Sequence, residues 1–328
     1  MSNVKKIFFL IGFHKLYYLG CPSWMPCFPR VAVGVVTLAW LSSFAIPIVV
    51  LGFVVIGRWE LATIMCMILG LVSMCQIKKN ETVRDFLLDG IAESVGGVTI
   101  IRNCENEKMS DKILYAIHPH GLTSTLAGFA LSDTGRQNLG KVGMVVAPML
   151  RWFNPFMRLL MALMGIDLIS SNKKCVRNHM RQGLPLGIVV GGFEEMLQTE
   201  QDRDIIYLNN RRGFLREAIL NGYRIVPVYC FGETQIYRNR VCLGRKIRDW
   251  CAEWKIPAAV PVGNGNFSFM PRRLPGGTLI AFGAPLRFDP NVIHNKEDFE
   301  RVHGEYSEAL KTLYYKYNPF KGRKLEIV

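Results

Sequence analysis

His118 and His120 flank Pro119 in the stretch KILYAIHPHGLTST, residues 112–125, of a chain that carries only six histidines. An imidazole held on a rigid turn can take a proton from a hydroxyl, which is the chemistry this pair suggests. Pro119 restricts the turn, Gly121 opens a backbone conformation closed to other residues, and Thr123 or Ser124 can cap a following helix. The positive end of such a helix disfavours a cationic ring and keeps a histidine neutral, the state a general base requires. One of the two histidines is expected to pack or to bond to backbone. A shared metal is the competing use, but His179, His294 and His303 show no ligand spacing and no C-x-x-C pair accompanies them. No metal is therefore expected.

Two further stretches carry polar groups suited to a site. In GIVVGGFEEML, residues 187–197, an apolar run meets Gly191 and Gly192, which permit close backbone approach, and then Glu194 and Glu195. Either glutamate can orient a histidine or stabilise its protonated form, although acidic residues are also favoured in any first helical turn. In NNRRGFLREAI, Arg211 and Arg212 precede Gly213 at a helix start, where guanidinium forks and exposed amides can converge on a phosphate. Lys173, Lys174, Arg177 and Arg181 form a second basic cluster at helical spacing, which reads as a solvated face. No G-x-S-x-G elbow occurs, so the simplest serine hydrolase is excluded.

The elements that must position these residues follow from hydrophobic pattern. VTII, KILYAI, GMVVA, LPLGIVVGG, YRIVPVYCFG and GTLIAFGAPL read as strands, the last of them as the final strand of the chain. Between them TSTLAGFAL, NPFMRLLMAL, KKCVRNHMRQ and RRGFLREAIL read as helices, the last stopped by Asn221 and Gly222. This alternation predicts an α/β sheet, whose ligands gather beyond the carboxyl ends of the strands, where HPHG and GGFEE fall. Phe299, Val302, Tyr306, Leu310, Leu313 and Tyr317 recur at three- and four-residue spacing. That stripe predicts a helix packed on the sheet, with a membrane-interfacial helix as the alternative.

Residues 31–57 contain no charge, and neither do residues 61–77. About 20 apolar residues cross a bilayer, so the first run is ample and the second marginal. Only Arg58, Trp59 and Glu60 separate them, which predicts a transmembrane helical hairpin with both ends on one side. Lys5, Lys6, Lys15 and Arg30 before it, and Lys78, Lys79 and Arg84 after it, make that side cytosolic. A signal peptide fits poorly, because the run begins late and is too long. Two core helices of a soluble protein are the competing reading. Residues 1–80 thus form a membrane region, with its hairpin at about 31–57 and 61–77, and residues 81–328 a cytosol-facing α/β domain.

A formal charge of +14 favours a polyanionic partner, whether nucleic acid, an anionic membrane or a phosphorylated coenzyme. The cations are spread without a zinc finger, an RNP motif or an aromatic platform, so nucleic acid is not expected. Nine cysteines without a C-x-x-C pair read as reduced cytosolic thiols.

With these residues in view, the chain resembles the type-2 diacylglycerol acyltransferase family, which includes monoacylglycerol and wax-alcohol acyltransferases. YAIHPHG looks like that family's Y-x-x-H-P-H-G, and IVVGGFEEML is similar to its strand, paired glycines and glutamate. RRGFLREAILNGYRIVPVYCFGE, residues 211–233, looks like its R-K-G-F to V-P-V-Y-x-F-G-E segment, and PRRLPGGTLIAFGAPL, residues 271–286, is similar to its closing strand and turn. Phe193 and Glu194 stand where the family usually has small residues. The H-x-x-x-x-D of glycerolipid phosphate acyltransferases is absent, since Thr123 and Thr125 occupy the aspartate positions.

The resemblance implies an acyltransferase-like mixed sheet flanked by helices, and an acyl-CoA donor that is a substrate, with no cofactor. The acceptor it implies is a neutral lipid hydroxyl, diacylglycerol first, with monoacylglycerol and long-chain alcohols as alternatives. His120 would be the base, with His118 close behind it, and Glu195 the partner in preference to Glu194. Amides near Gly121, Gly191 and Gly192 would serve the oxyanion, Pro119 would shape the turn, and Arg211 and Arg212 would hold the coenzyme phosphates. Endoplasmic reticulum residence, access to lipid droplets and a homo-oligomer are compatible with it. A catalytically inactive lipid-binding scaffold is the reading from another class.

Overall fold

Twelve strands form among the described residues, most of them on short apolar runs: β1 (His14–Tyr18), β2 (Val98–Arg102), β3 (Ile113–His118), β4 (Val142–Val146), β5 (Ile166–Ser170), β6 (Leu186–Val189), β7 (Asp204–Ile206), β8 (Arg224–Phe231), β9 (Arg238–Asn239), β10 (Pro261–Val262), β11 (Thr278–Phe282) and β12 (Leu325–Ile327). The structure, a computed structural model, describes residues 14–18, 28–75, 77–103, 112–135, 141–152, 154–240, 244–253, 259–264 and 269–328. One sheet takes eight of the strands in the order β1-β2-β11-β8-β3-β6-β4-β5. From β8 to β5 every pairing is parallel, so five strands end at one edge. β11 runs antiparallel to β8, and β1 closes the other side antiparallel to β2, which makes the sheet mixed.

All six positions of β3 are buried, because both faces of the sheet are covered. Ile113, Tyr115 and Ile117 join the core beneath α3 (Glu81–Val95), α4 (Thr125–Thr134) and α6 (Pro155–Leu163). Leu114 and Ala116 join the opposite core, beneath α7 (Lys173–Arg181), α9 (Gly213–Leu220) and α12 (Lys296–Tyr317). Val302, Tyr306, Leu310 and Leu313 of α12 are buried against that face, so the stripe packs on the sheet and the interfacial alternative falls. Six strands lie outside the expected set: β1, β5, β7, β9, β10 and β12. β5 carries Asp167 inside a short run, β1 is an edge strand, and β12 pairs with β7 after what had looked like the last strand.

Two apolar helices precede the domain, α1 (Phe28–Val55) and α2 (Trp59–Met74), and they pack against each other. Among the described residues α1 alone is long and apolar enough to cross a membrane; α2, at 16 residues, is shorter than a span requires. The first half of α1 docks on the domain, with Ala32, Ala39 and Ser43 buried, while Ile48, Leu51 and Val55 beyond it are exposed. Arg84, counted among the flanking cations, is buried and pairs with Asp85 at 3.1 Å. Lys5, Lys6, Cys21, Cys27, Cys104 and Cys242 lie outside the described residues; Cys66, Cys75, Cys175, Cys230 and Cys251 are free thiols.

Asn154, fully buried ahead of α6, fastens α1 to the domain. Its amide donates to the Ala39 carbonyl at 2.7 Å and to the Ser43 hydroxyl, and its oxygen accepts from Ser42 at 2.9 Å and from the Met157 amide at 2.8 Å. Asn154→Ala strips partners from four groups at a buried junction. It is expected to cost roughly 1–3 kcal/mol, read as a lowered thermal midpoint of the full chain.

Candidate active site

Three adjacent parallel strands, β8, β3 and β6, end side by side, and each delivers a polar group to the same edge. β3 runs into His118, Pro119, His120 and Gly121; β6 into Gly191 and Gly192 and then α8 (Gly192–Gln198) with Glu195; β8 into Gly232 and Glu233. The alternation of β3 turns His118 to the α12 side, where it is fully buried with Nε2 2.9 Å from the Tyr306 hydroxyl. Its Nδ1 has no partner among the described residues. Burial pushes its pKa down to about 3, so the ring is neutral.

His120 lies beyond the strand and is partly exposed. Its Nδ1 is 2.9 Å from the Gly121 carbonyl, which accepts a proton only from an Nδ1–H and so leaves Nε2 with its lone pair. Burial lowers this pKa too, partly offset by the Gly121 carbonyl. The Ser124 hydroxyl donates to the His120 carbonyl at 3.0 Å and lies 3.4 Å from Nε2. A neutral imidazole with a fixed tautomer and a lone pair on Nε2 is what proton abstraction from a hydroxyl needs.

The turn is held from both sides by buried carboxylates. Glu195, only 2% exposed, accepts from the His120 backbone amide through Oε1 and from the Tyr207 amide through Oε2 at 2.8 Å. Its oxygens therefore meet the backbone of His120, where an orienter of the ring was expected. Glu194 points away, half-exposed, and pairs with Arg211 at 2.7 Å. On the other flank Glu233 accepts from the Thr125 amide at 3.0 Å and the Leu126 amide at 2.7 Å, so it caps α4 across 108 residues. Ser124, at the cap position with φ of 53°, makes no side-chain cap bond.

Each carboxylate is admitted by a glycine. A Cβ at Gly191 would stand 1.9 Å from Glu195 Oε2, and one at Gly121 2.6 Å from Glu233 Cγ, with Gly121 at φ +58°. Glu233 was not read from sequence as a site residue. The signal available was the repeated grammar of apolar strand, glycine and glutamate in both IVVGGFEE and YCFGE. Arg211 reaches Glu194 and the Gly191 carbonyl, whereas Arg212 pairs with Glu300 and faces a separate cavity. No group of His, Cys, Asp or Glu among the described residues is arranged to hold a metal.

A neutral imidazole thus stands on the carboxyl edge of a mixed sheet, in a chain that also carries an apolar helix of membrane-crossing length. Residues 80–325 match the family described as Diacylglycerol acyltransferase, and the chain belongs to that family. It is 28% identical to Diacylglycerol O-acyltransferase 2B of Umbelopsis ramanniana over 235 residues, 67% of each chain. Over 220 residues it is 31% identical to Diacylglycerol O-acyltransferase 2 of Dictyostelium discoideum, 62% of this chain and 65% of that one. Acyl-CoA wax alcohol acyltransferase 1 of Homo sapiens is 26% identical over 226 residues, 64% of this chain and 67% of the human protein. The aligned stretch thus spans about two thirds of these relatives.

Desolvation raises the carboxyls of Glu195 and Glu233 from 4.5 to about 7, against the opposing pull of the amides they accept from. A raised carboxyl binds its proton more tightly in the folded state. Its stabilising share is therefore complete below pH 4.5 and is lost as pH rises through about 7. Wild type is expected to lose on the order of 3 kcal/mol relative to Glu195→Gln across that window, measured by denaturant unfolding at a series of pH values.

Proposed function

We propose that this chain is a membrane-bound O-acyltransferase that moves a fatty acyl group from acyl-CoA to the hydroxyl of a neutral lipid, with diacylglycerol as acceptor and triacylglycerol as product. The observation that carries the reading is the turn of His120: neutral, its Nδ1 committed to the Gly121 carbonyl, and its Nε2 left with a lone pair beside the Ser124 hydroxyl. His120 Nε2 takes the proton of the acceptor hydroxyl as that oxygen bonds to the thioester carbonyl carbon. Negative charge gathers on the former carbonyl oxygen, for which the amides of the Gly121 and Gly191–Gly192 corners are the donors. The carbon–sulfur bond then breaks and the coenzyme leaves as a thiolate, which takes the proton back from the imidazolium. A thiolate is a better leaving group than an alkoxide, so departure needs less help than attack.

Glu195 and Glu233 act through the backbone that carries His120, and His118 braces the turn through Tyr306. α1 and α2 together enter the bilayer as a hairpin, with both termini and the catalytic domain on the cytosolic side of the endoplasmic reticulum and lipid droplets within reach. This rests on their joint apolarity and on the cations that flank them. Acyl-CoA then comes from the cytosol and the acceptor from the bilayer.

The test is incubation of the membrane-inserted chain with labelled acyl-CoA and a panel of diacylglycerol, monoacylglycerol, long-chain alcohol and sterol. Triacylglycerol is the expected product; another dominant ester would move the acceptor, and no ester from any acceptor would end the enzyme reading. His120→Ala is expected to lower kcat by about 10²- to 10⁴-fold. Lipid output unchanged in His118→Ala, His120→Ala and Glu195→Gln alike would favour the lipid-binding scaffold.

A further inference from the structure

A cavity of about 550 Å³ lies on the α12 side of the sheet, between α7 and α9. Leu114, Ile188, Met180 and Phe214 give it an apolar floor and walls. Its mouth is cationic: Lys173, Arg212 and Arg216 face it, with Glu217 the one carboxylate of the lining and Glu300, outside the lining, paired with Arg212. That carboxylate is already held by the Arg177 fork at 2.6 and 2.9 Å, with Lys173 at 3.5 Å. The two basic clusters that stand apart in sequence therefore meet at one opening. Lys173 begins α7 and Arg212 directly precedes α9, so the positive ends of two helices reinforce the side-chain charge.

The position of the mouth relates it to the catalytic turn. α7 follows β5, which ends on the same edge as β3, with β6 and β4 between them. Three strand spacings put the two points roughly 14 Å apart along that edge. A flat apolar ring system with phosphates at one end and a long flexible arm matches this layout.

We propose that the cavity holds the nucleotide end of the acyl donor, with adenine among the apolar walls, phosphates on Lys173, Arg212 and Arg216, and the pantetheine arm running along the sheet edge to His120. The inference rests on the acyl-CoA reading and extends it. Lys173 and Arg216 become donor-specificity residues, while Arg211, which does not line the cavity, is left outside the phosphate site.

Lys173 and Arg216 are exposed, so Lys173→Met/Arg216→Met leaves the core intact, and a thermal melt checks the fold. With the full chain in vesicles, the double variant is expected to raise KM for acyl-CoA about tenfold or more and to leave kcat and the acceptor KM within about twofold. Adenosine 3′,5′-bisphosphate should compete with acyl-CoA in wild type and lose that competition in the variant. Acyl-pantetheine, which lacks the nucleotide, should be used equally by both proteins. An unchanged KM for acyl-CoA, or an equal loss with acyl-pantetheine, overturns the assignment. If wild type esterifies nothing, the function proposed above fails; calorimetric binding of adenosine 3′,5′-bisphosphate, lost in the double variant, still decides for the cavity and its absence in wild type against it.

Discussion

Everything at the catalytic edge depends on two buried carboxylates that spend their oxygens on backbone amides. Glu195 and Glu233 reach the turn from opposite sides and accept from His120 on one flank and from Thr125 and Leu126 on the other. A carboxylate in an apolar interior is tolerated only when its lone pairs are met, and the amide groups left over at a strand end and a helix start are the donors available there. The same bonds fix the path of the chain between them. His120 is thus located by its own backbone, and neither carboxylate occupies its ring.

The cost of this arrangement appears in the glycines and in the proton balance. Gly121 and Gly191 have no side chain because a glutamate occupies the space. Both carboxyls are driven up toward neutrality by burial, while both histidines are driven down. Four titratable groups in one corner are thus all pushed toward their neutral forms by the same loss of water.

How much of this was legible follows from the range of each interaction. The strands with long apolar runs, the HPHG turn and the paired glycines before Glu195 all declare themselves locally, through periodicity and through residues with special backbone freedom. The capping of α4 did not, because local chemistry points to Thr123 or Ser124 and the group that does it lies 108 residues away. Glu194 and Glu195 are indistinguishable by type; only the direction in which α8 leaves the strand buries one and exposes the other. β5 was missed because a strand with a parallel neighbour on one side only needs few apolar residues, and Asp167 can face outward. Whether α1 docks on the domain is equally non-local, since its apolar run satisfies a membrane and a protein surface alike.

The distance in sequence between the turn and Glu233 has a consequence for the order of events during synthesis. α1 leaves the ribosome before any part of the turn, whereas β8 and Glu233, on which the turn leans, are made more than a hundred residues after His120. At about 5–20 residues per second, several seconds separate the two halves of the site. The apolar helix is thus complete, and has time to find its resting place, before the corner around His120 can close.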